Sequence, residues 1–136
     1  GEWEAASMQI KTLDHINIET DDVDRSANFY EQVLGLHRGR RPKFDRPGHW
    51  LYVGDLPIVH IITPQPDNAM LTGSKDAAMS HFAMEISDFG EAKARLDDCD
   101  IKYRVNEVPG SALRQLFFED PDGVLIELIL IPEGAR

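Results

Sequence analysis

Phe117–Ile129 reads FFEDPDGVLIELI, two apolar runs joined by Asp120-Pro121-Asp122-Gly123. Proline and glycine at those places are strong turn signals, so the stretch predicts a hairpin between two strands. The second run, Val124–Ile131, is apolar at every position except Glu127. A carboxylate in a strand this apolar is costly to bury unless a partner compensates it. Taken alone, Glu127 reads as solvent-facing or paired with an arginine, because glutamate is seldom buried unpaired.

Upstream, the chain alternates between short strands and two helices. Leu13–Glu19 (LDHINIE) places Ile16 and Ile18 on one face and His15, Asn17 and Glu19 on the other, the pattern of a half-buried strand. Asp21–Asp24 offers an N-cap, and Val23, Ala27, Tyr30 and Leu34 recur at helical spacing up to Gly35. Leu36–Phe44 carries a basic patch on a strand that runs into a loop at Asp45–His49, with Pro47 and Gly48 as breakers; Trp50–Val53 is a short strand, and Gly54–Pro57 is a turn. Ile58–Thr63 (IVHIIT) is a buried strand whose one strongly polar residue is His60. A loop over Pro64–Asp76 follows, then a strand at Ser80–Ile86 (SHFAMEI) and a helix capped by Asp88 that carries Phe89, Ala92 and Leu96. Ile101–Val105, Leu113–Phe118 and Val124–Ile131 complete the strands.

The order is strand, helix, three strands, and then the same again, which is an internal repeat. His15 and His81 occupy the same place in each half, 66 residues apart (81 − 15). His60 and Glu127 occupy the last strand of each half, 67 residues apart (127 − 60). Two independent landmarks thus give nearly one period. The expected fold class is α+β, with two βαβββ modules in one domain over residues 8–133. Module one covers 10–63, the linker 64–78 and module two 79–131, with residues 1–7 as an N-terminal extension or expression remnant.

Composition narrows the functional classes. The 136 residues suit one compact unit or two small modules sharing a core. A formal net charge of −10 argues against a nucleic-acid binder, whose footprint is basic. Cys99 is the single cysteine, which excludes an intrachain disulfide and a cysteine-based zinc site. One thiol fits a reducing compartment, and the cytoplasm is the expected location. No apolar run approaches the roughly 20 residues that cross a bilayer. Gly1–Ser7 (GEWEAAS) lacks the basic start and apolar stretch of a signal peptide.

The four landmark residues carry the chemistry. Each interrupts an apolar strand, or opposes its apolar face, on the first or last strand of its half. Any one of His15, His60 or His81 alone reads as an ordinary core or surface histidine. Four at period-matched positions form a set of three imidazoles and one carboxylate, suited to Zn²⁺, Ni²⁺, Fe²⁺, Co²⁺ or Mn²⁺. A divalent cation would also supply the countercharge that Glu127 needs. His37 and His49 lie outside the period and read as surface residues, with His49 a candidate for a pocket rim.

LDHINI with its following SANFYEQVLGL, IVHII, SHFAMEI and FFEDPDGVLIELI together resemble the vicinal-oxygen-chelate superfamily from Leu13 to about Ile131. That superfamily groups glyoxalase I, fosfomycin-resistance transferases, methylmalonyl-CoA epimerase, extradiol dioxygenases and bleomycin-resistance proteins. The resemblance implies two βαβββ modules, each curling its sheet around a metal cup in a cupped mixed sheet. It implies that His15, His81 and Glu127 are metal ligands, with Glu127 also catalytic. His60 stands where glyoxalase-like members place a fourth ligand, often Glu, and is a departure from that pattern. The implied activity is Lewis-acid catalysis on a small molecule with vicinal oxygens, as a glyoxalase-like lyase or isomerase or a related enzyme. The alternatives are an Fe²⁺ extradiol-type dioxygenase and a non-catalytic drug- or ligand-sequestering protein. Relatives of this length imply a homodimer whose sites take His15 and His60 from one subunit and His81 and Glu127 from the other.

Further residues shape the expected pocket. Arg114 reads either as a clamp for a substrate carboxylate or as a surface arginine. Trp50 and Tyr52 alternate on one strand and read either as substrate contacts or as core packing. The basic run Arg38–Lys43 either attracts an anionic substrate or keeps an edge strand soluble. Glu85, Glu119 and a metal-bound hydroxide are all candidates for a general base.

Overall fold

The computed structural model describes residues 8–64, 73–74 and 77–135; the 1–7 extension and most of the 64–78 linker lie outside them. The first module comprises β1 (Ile16–Glu19), α1 (Val23–Gln32), β2 (His37–Arg38), β3 (Gly48–Val53) and β4 (Leu56–Ile62). The second comprises β5 (Phe82–Ile86), α2 (Phe89–Asp98), β6 (Arg104–Glu107), β7 (Arg114–Glu119) and β8 (Leu125–Leu130). This is the βαβββ order, twice. Each module forms a four-stranded mixed sheet, ordered β1-β4-β3-β2 and β5-β8-β7-β6. In both, the first and last strands of the module run parallel side by side, and the remaining pairs are antiparallel.

The duplication holds at the level of register. Asn17 lies opposite His60 in the β1–β4 pair, and Ala83 lies opposite Glu127 in the β5–β8 pair. On the other side of the same strands, Trp50 faces His60 and Phe117 faces Glu127. Alternation then sorts the faces. Ile18, Leu51, Val59 and Ile61 point to the helix side in module one, and Leu116, Phe118, Ile126 and Leu128 do so in module two, all of them buried. The opposite faces carry His60 and Glu127.

Both helices start on a side-chain cap. The Asp22 carboxylate accepts from the Arg25 amide at 3.0 Å, and the Asp88 carboxylate accepts from the Glu91 amide at 2.9 Å. Each such cap stabilises its helix by about 1 kcal/mol. α1 buries Ala27 and Tyr30, and α2 buries Phe89 and Leu96, in one core shared by the two modules. Among the described residues, no helix is long and apolar enough to cross a membrane.

The DPDG hairpin is built around a buried carboxylate. Asp120 Oδ1 accepts from the amides of Asp122 at 2.8 Å and Val124 at 2.9 Å. Gly123 takes φ +86, a conformation that side-chain-bearing residues rarely adopt, and its amide donates to the Asp120 carbonyl at 3.0 Å. The second carboxylate oxygen, Oδ2, accepts from the Tyr30 hydroxyl of α1 at 2.9 Å. Burial, and then the neighbouring Asp120 charge, push the Tyr30 hydroxyl far above its ordinary pKa, so it stays protonated as the donor. Arg25 Nη2 adds an exposed bond to Asp122 at 3.0 Å.

Several strand ends differ from the alternation pattern. β1 begins at Ile16 and β5 at Phe82, so His15 and His81 each sit one residue ahead of their strand. β2 is only His37–Arg38, and the basic run beyond it is not strand. β4 starts at Leu56, so the predicted turn over Gly54–Pro57 is shorter. β6 starts at Arg104 rather than Ile101. The reason is a helix cap: the Ile101 amide closes on the Leu96 carbonyl at 2.9 Å, and the Asp100 amide on Asp97 at 3.1 Å. This leaves Asp100 left-handed at φ 57.

Two stability measurements follow from these contacts. Tyr30→Phe leaves Asp120 Oδ2 buried without its donor and lowers unfolding free energy by about 1.5–3 kcal/mol in urea titration. Asp100→Gly relieves the left-handed strain and raises it by about 0.5–1 kcal/mol.

Candidate metal centre

Each module brings its two landmark residues together. In module two, Glu127 is only 6% exposed. Its Oε1 accepts from His81 Nε2 at 2.9 Å and its Oε2 from Gln115 Nε2 at 3.0 Å. The Ser80 hydroxyl lies 2.9 Å from His81 Nδ1 and donates to it. The ring of Phe117 stands edge-on to His81, with centroids 5.8 Å apart. The bare carboxylate that looked costly in the sequence is thus held by two neutral-capable donors, an amide and an imidazole.

In module one the equivalent pair is aromatic. The His15 and His60 rings stack at 3.7 Å with an interplanar angle of 10°. Trp50 stacks on the other face of His60 at 4.0 Å and 12°, giving a Trp50–His60–His15 column. His15 Nδ1 donates to the Asp14 carboxylate at 2.7 Å, which leaves Nε2 with its lone pair free. His60 Nε2 donates to the Pro57 carbonyl at 3.0 Å, which leaves Nδ1 as its free nitrogen. Burial lowers the His60 pKa, and the adjacent His15 and nearby Arg41 lower it further; the Pro57 carbonyl and Asp14 oppose them. The neutral ring is the form that binds a metal.

The four candidate ligands therefore stand as two pairs on two separate sheets. Among the described residues, no three His, Cys, Asp or Glu side chains gather as a metal site within the one chain. The donor chemistry fits a divalent cation, because three imidazoles and a buried carboxylate supply neutral nitrogen and anionic oxygen.

The other expected contacts divide. Trp50 lies against His60, beside the candidate ligands. Tyr52 lies further along the same strand; its hydroxyl donates to the Arg40 carbonyl and its ring stacks on His37, so it ties β3 to the preceding loop. Arg114 turns the other way, to the helix side: its guanidinium sits 4.0 Å over the Phe89 ring and bonds Glu107 at 2.9 Å. The polar side chain of β7 that reaches Glu127 is Gln115 instead. Phe117-Phe118 hid this, because two consecutive apolar residues leave the in–out phase of a strand unreadable. The position directly across from Glu127 on the neighbouring strand, Phe117, would have fixed that phase. His49, a rim candidate, bonds Asp24 of α1 at 2.8 Å.

Comparison with known proteins places this geometry. The family model described as Glyoxalase/Bleomycin resistance protein/Dioxygenase superfamily matches residues 12–128. The chain is 30% identical to "Glyoxylase I 4" of Arabidopsis thaliana over 124 residues, covering 89% of this chain and 71% of that one. It is 24% identical to "Glutathione transferase FosA" of Serratia marcescens over 130 residues, covering 93% of this chain and 86% of that one. Among solved structures, a glyoxylase/bleomycin resistance protein/dioxygenase domain from Frankia sp. EAN1pec superposes with a TM-score of 0.73 at 17% identity. That match covers 93% of this chain and 96% of the other, and it bears on the fold alone.

The two neighbours on β7 separate by mutation. Gln115→Ala removes a donor from a buried carboxylate and costs about 1–3 kcal/mol in chemical denaturation. Arg114→Ala loses a half-exposed ion pair and a cation–π contact and costs about 1 kcal/mol or less.

Proposed function

The chain belongs to the Glyoxalase/Bleomycin resistance protein/Dioxygenase superfamily, and we propose that it is a divalent-metal-dependent enzyme of that superfamily. In this reading it is a glyoxalase-like lyase or isomerase, or a close relative, acting on a small molecule with vicinal oxygens. The observation that carries the reading is the buried Glu127 carboxylate against His81, matched at the same register in the other module by His60 and His15. Polar pairs stand at the same register in both modules, His–Glu in one and His–His in the other, and a cation gives both pairs one common reason.

The residues divide the work. His15, His60, His81 and Glu127 hold the metal, which when bound polarises a substrate oxygen as a Lewis acid. Asp14 fixes the His15 tautomer, leaving Nε2 as the ligating nitrogen. Gln115 holds the second oxygen of Glu127 and sets the direction of the first. Such supporting partners typically change metal affinity by about 10–100-fold when removed. Trp50 covers one face of His60 and keeps water from it.

The placement of the ligands as two pairs on separate sheets supports a homodimer with shared sites. Module one of one copy then meets module two of the other, and each dimer holds two sites. The isologous arrangement of a two-fold dimer delivers both sites at once.

Metal analysis and subunit mixing test the proposal together. Freshly purified protein, stripped with EDTA and reloaded, should bind about one metal per chain, and His81→Ala should bind less than about a tenth of that. Two metal-dead doubles, His15→Ala/His60→Ala and His81→Ala/Glu127→Ala, are then unfolded, mixed and refolded. Statistical pairing restores about a quarter of wild-type metal and activity if sites are shared between subunits. No recovery refutes the shared site, and no stoichiometric metal in wild type refutes the metalloenzyme. Activity is read on the hemithioacetal of methylglyoxal, on an epoxide with a thiol, and on catechols with oxygen uptake, which would mark a dioxygenase.

A further inference from the structure

A cavity of about 400 Å³ opens beside His60, and Arg41, Phe44, Trp50, Asn17 and Asp45 are among its lining residues. Arg41 enters it from the loop after β2. Its guanidinium carbon lies 4.8 Å over the Phe44 ring, and Nη2 donates to the Arg46 carbonyl at 3.1 Å. Gly48 makes room for it: a Cβ there would fall 2.8 Å from Arg41 Nη2 and 2.3 Å from the Ile61 carbonyl oxygen. Arg41 Nε is buried and has no hydrogen-bond partner among the described residues. A buried donor left unmade on a charged group is expensive, and natural structures seldom keep one without a ligand, ion or water to receive it.

We propose that this cavity is a carboxylate subsite: Arg41 pairs with a carboxylate of the substrate while the substrate's apolar body lies in the cavity against the wall that Trp50 and Phe44 form. The fork of a guanidinium matches a planar carboxylate, and stacking on Phe44 holds that fork in place. The Trp50 and Phe44 rings are in tilted contact, 6.2 Å apart at 44°, and together form an apolar wall of the cavity. Trp50 carries His60 on its other face, so the cavity leads to the candidate ligands. Asp45, the carboxylate of the lining, leaves the cavity net positive against Arg41 and Arg46. Module two has no counterpart, since the period sets Gln115 where module one has Gly48 (115 − 67). The subsite rests on the metal reading only for what lies at the cavity's inner end.

The test uses metal-free, EDTA-treated protein, so that it is independent of metal loading. Benzoate is titrated against ¹⁵N-labelled wild type, following the Trp50 indole and Arg41 Nε–H signals, with benzamide and inorganic phosphate in parallel. Saturable benzoate shifts at both signals, with benzamide and phosphate at least about tenfold weaker, support the subsite. Arg41→Gln should then weaken benzoate by about tenfold or more in a protein that still unfolds in one cooperative transition. Equal binding of benzamide reduces the cavity to an apolar crevice, and equal binding of phosphate removes the carboxylate assignment. Absence of saturable benzoate binding to the wild type overturns the proposal even if metal loads stoichiometrically. Benzoate binding in a protein that takes up no metal would sustain the subsite and sink the metalloenzyme.

Discussion

The bond between Tyr30 and Asp120 ties the two halves of this chain together within the core they share, at the hairpin from which the site's last strand starts. Asp120 organises the hairpin that starts β8, and β8 carries Glu127 seven residues on. Tyr30 sits on the helix that backs the sheet carrying His60. This buried phenol–carboxylate contact, with the Phe29–Phe118 ring contact beside it, joins the sheet of one module to the helix of the other. Both partners are removed from water, so the bond is far stronger than a surface pair and costly to leave half made. The exposed Arg25–Asp122 pair beside it adds little of its own.

The duplication was legible because period and chemistry repeat together. Offsets of 66 and 67 residues between the polar landmarks became the same β-ladder register in both sheets, Asn17 against His60 and Ala83 against Glu127. Capping was legible as well, since Asp22 and Asp88 act through local bonds. Strand ends were not, because a strand stops where its partner stops, and the parallel partner of β1 lies 43 residues downstream (59 − 16). Leu13 was read into the strand yet is 81% exposed, with no ladder to join. The phase of β7 was hidden by Phe117-Phe118, which put Arg114 forward in place of Gln115. Arg41 was invisible for a different reason: a basic run looks like a solvated surface until one of its members folds back over an aromatic ring.

The two halves solve the same problem differently. Module two must keep a carboxylate away from water, and it does so with hydrogen-bond donors from Gln115 and His81. Module one stacks one imidazole on the other, with Trp50 against His60 and the exposed His15 outermost, and burial lowers the His60 pKa. Each half is therefore stable with its own pair, which is what a site assembled from separate sheets requires. A half that needed the metal or the second subunit to satisfy its polar atoms would not fold before assembly.

Charge balance links the proposed centre to the proposed subsite. If His15, His60, His81 and Glu127 form the proposed ligand set, that set holds a single negative charge, on Glu127. Around a divalent cation, three neutral imidazoles and one carboxylate leave a net positive charge; a second carboxylate would cancel it. A centre of that sign favours an anionic substrate, and in a partly buried cavity the preference is weakly screened. Arg41 adds positive charge in the cavity that His60 also lines. In the proposed reading, His60 and the Arg41 guanidinium would thus act together, with the substrate bringing the negative charge that a second carboxylate would otherwise supply.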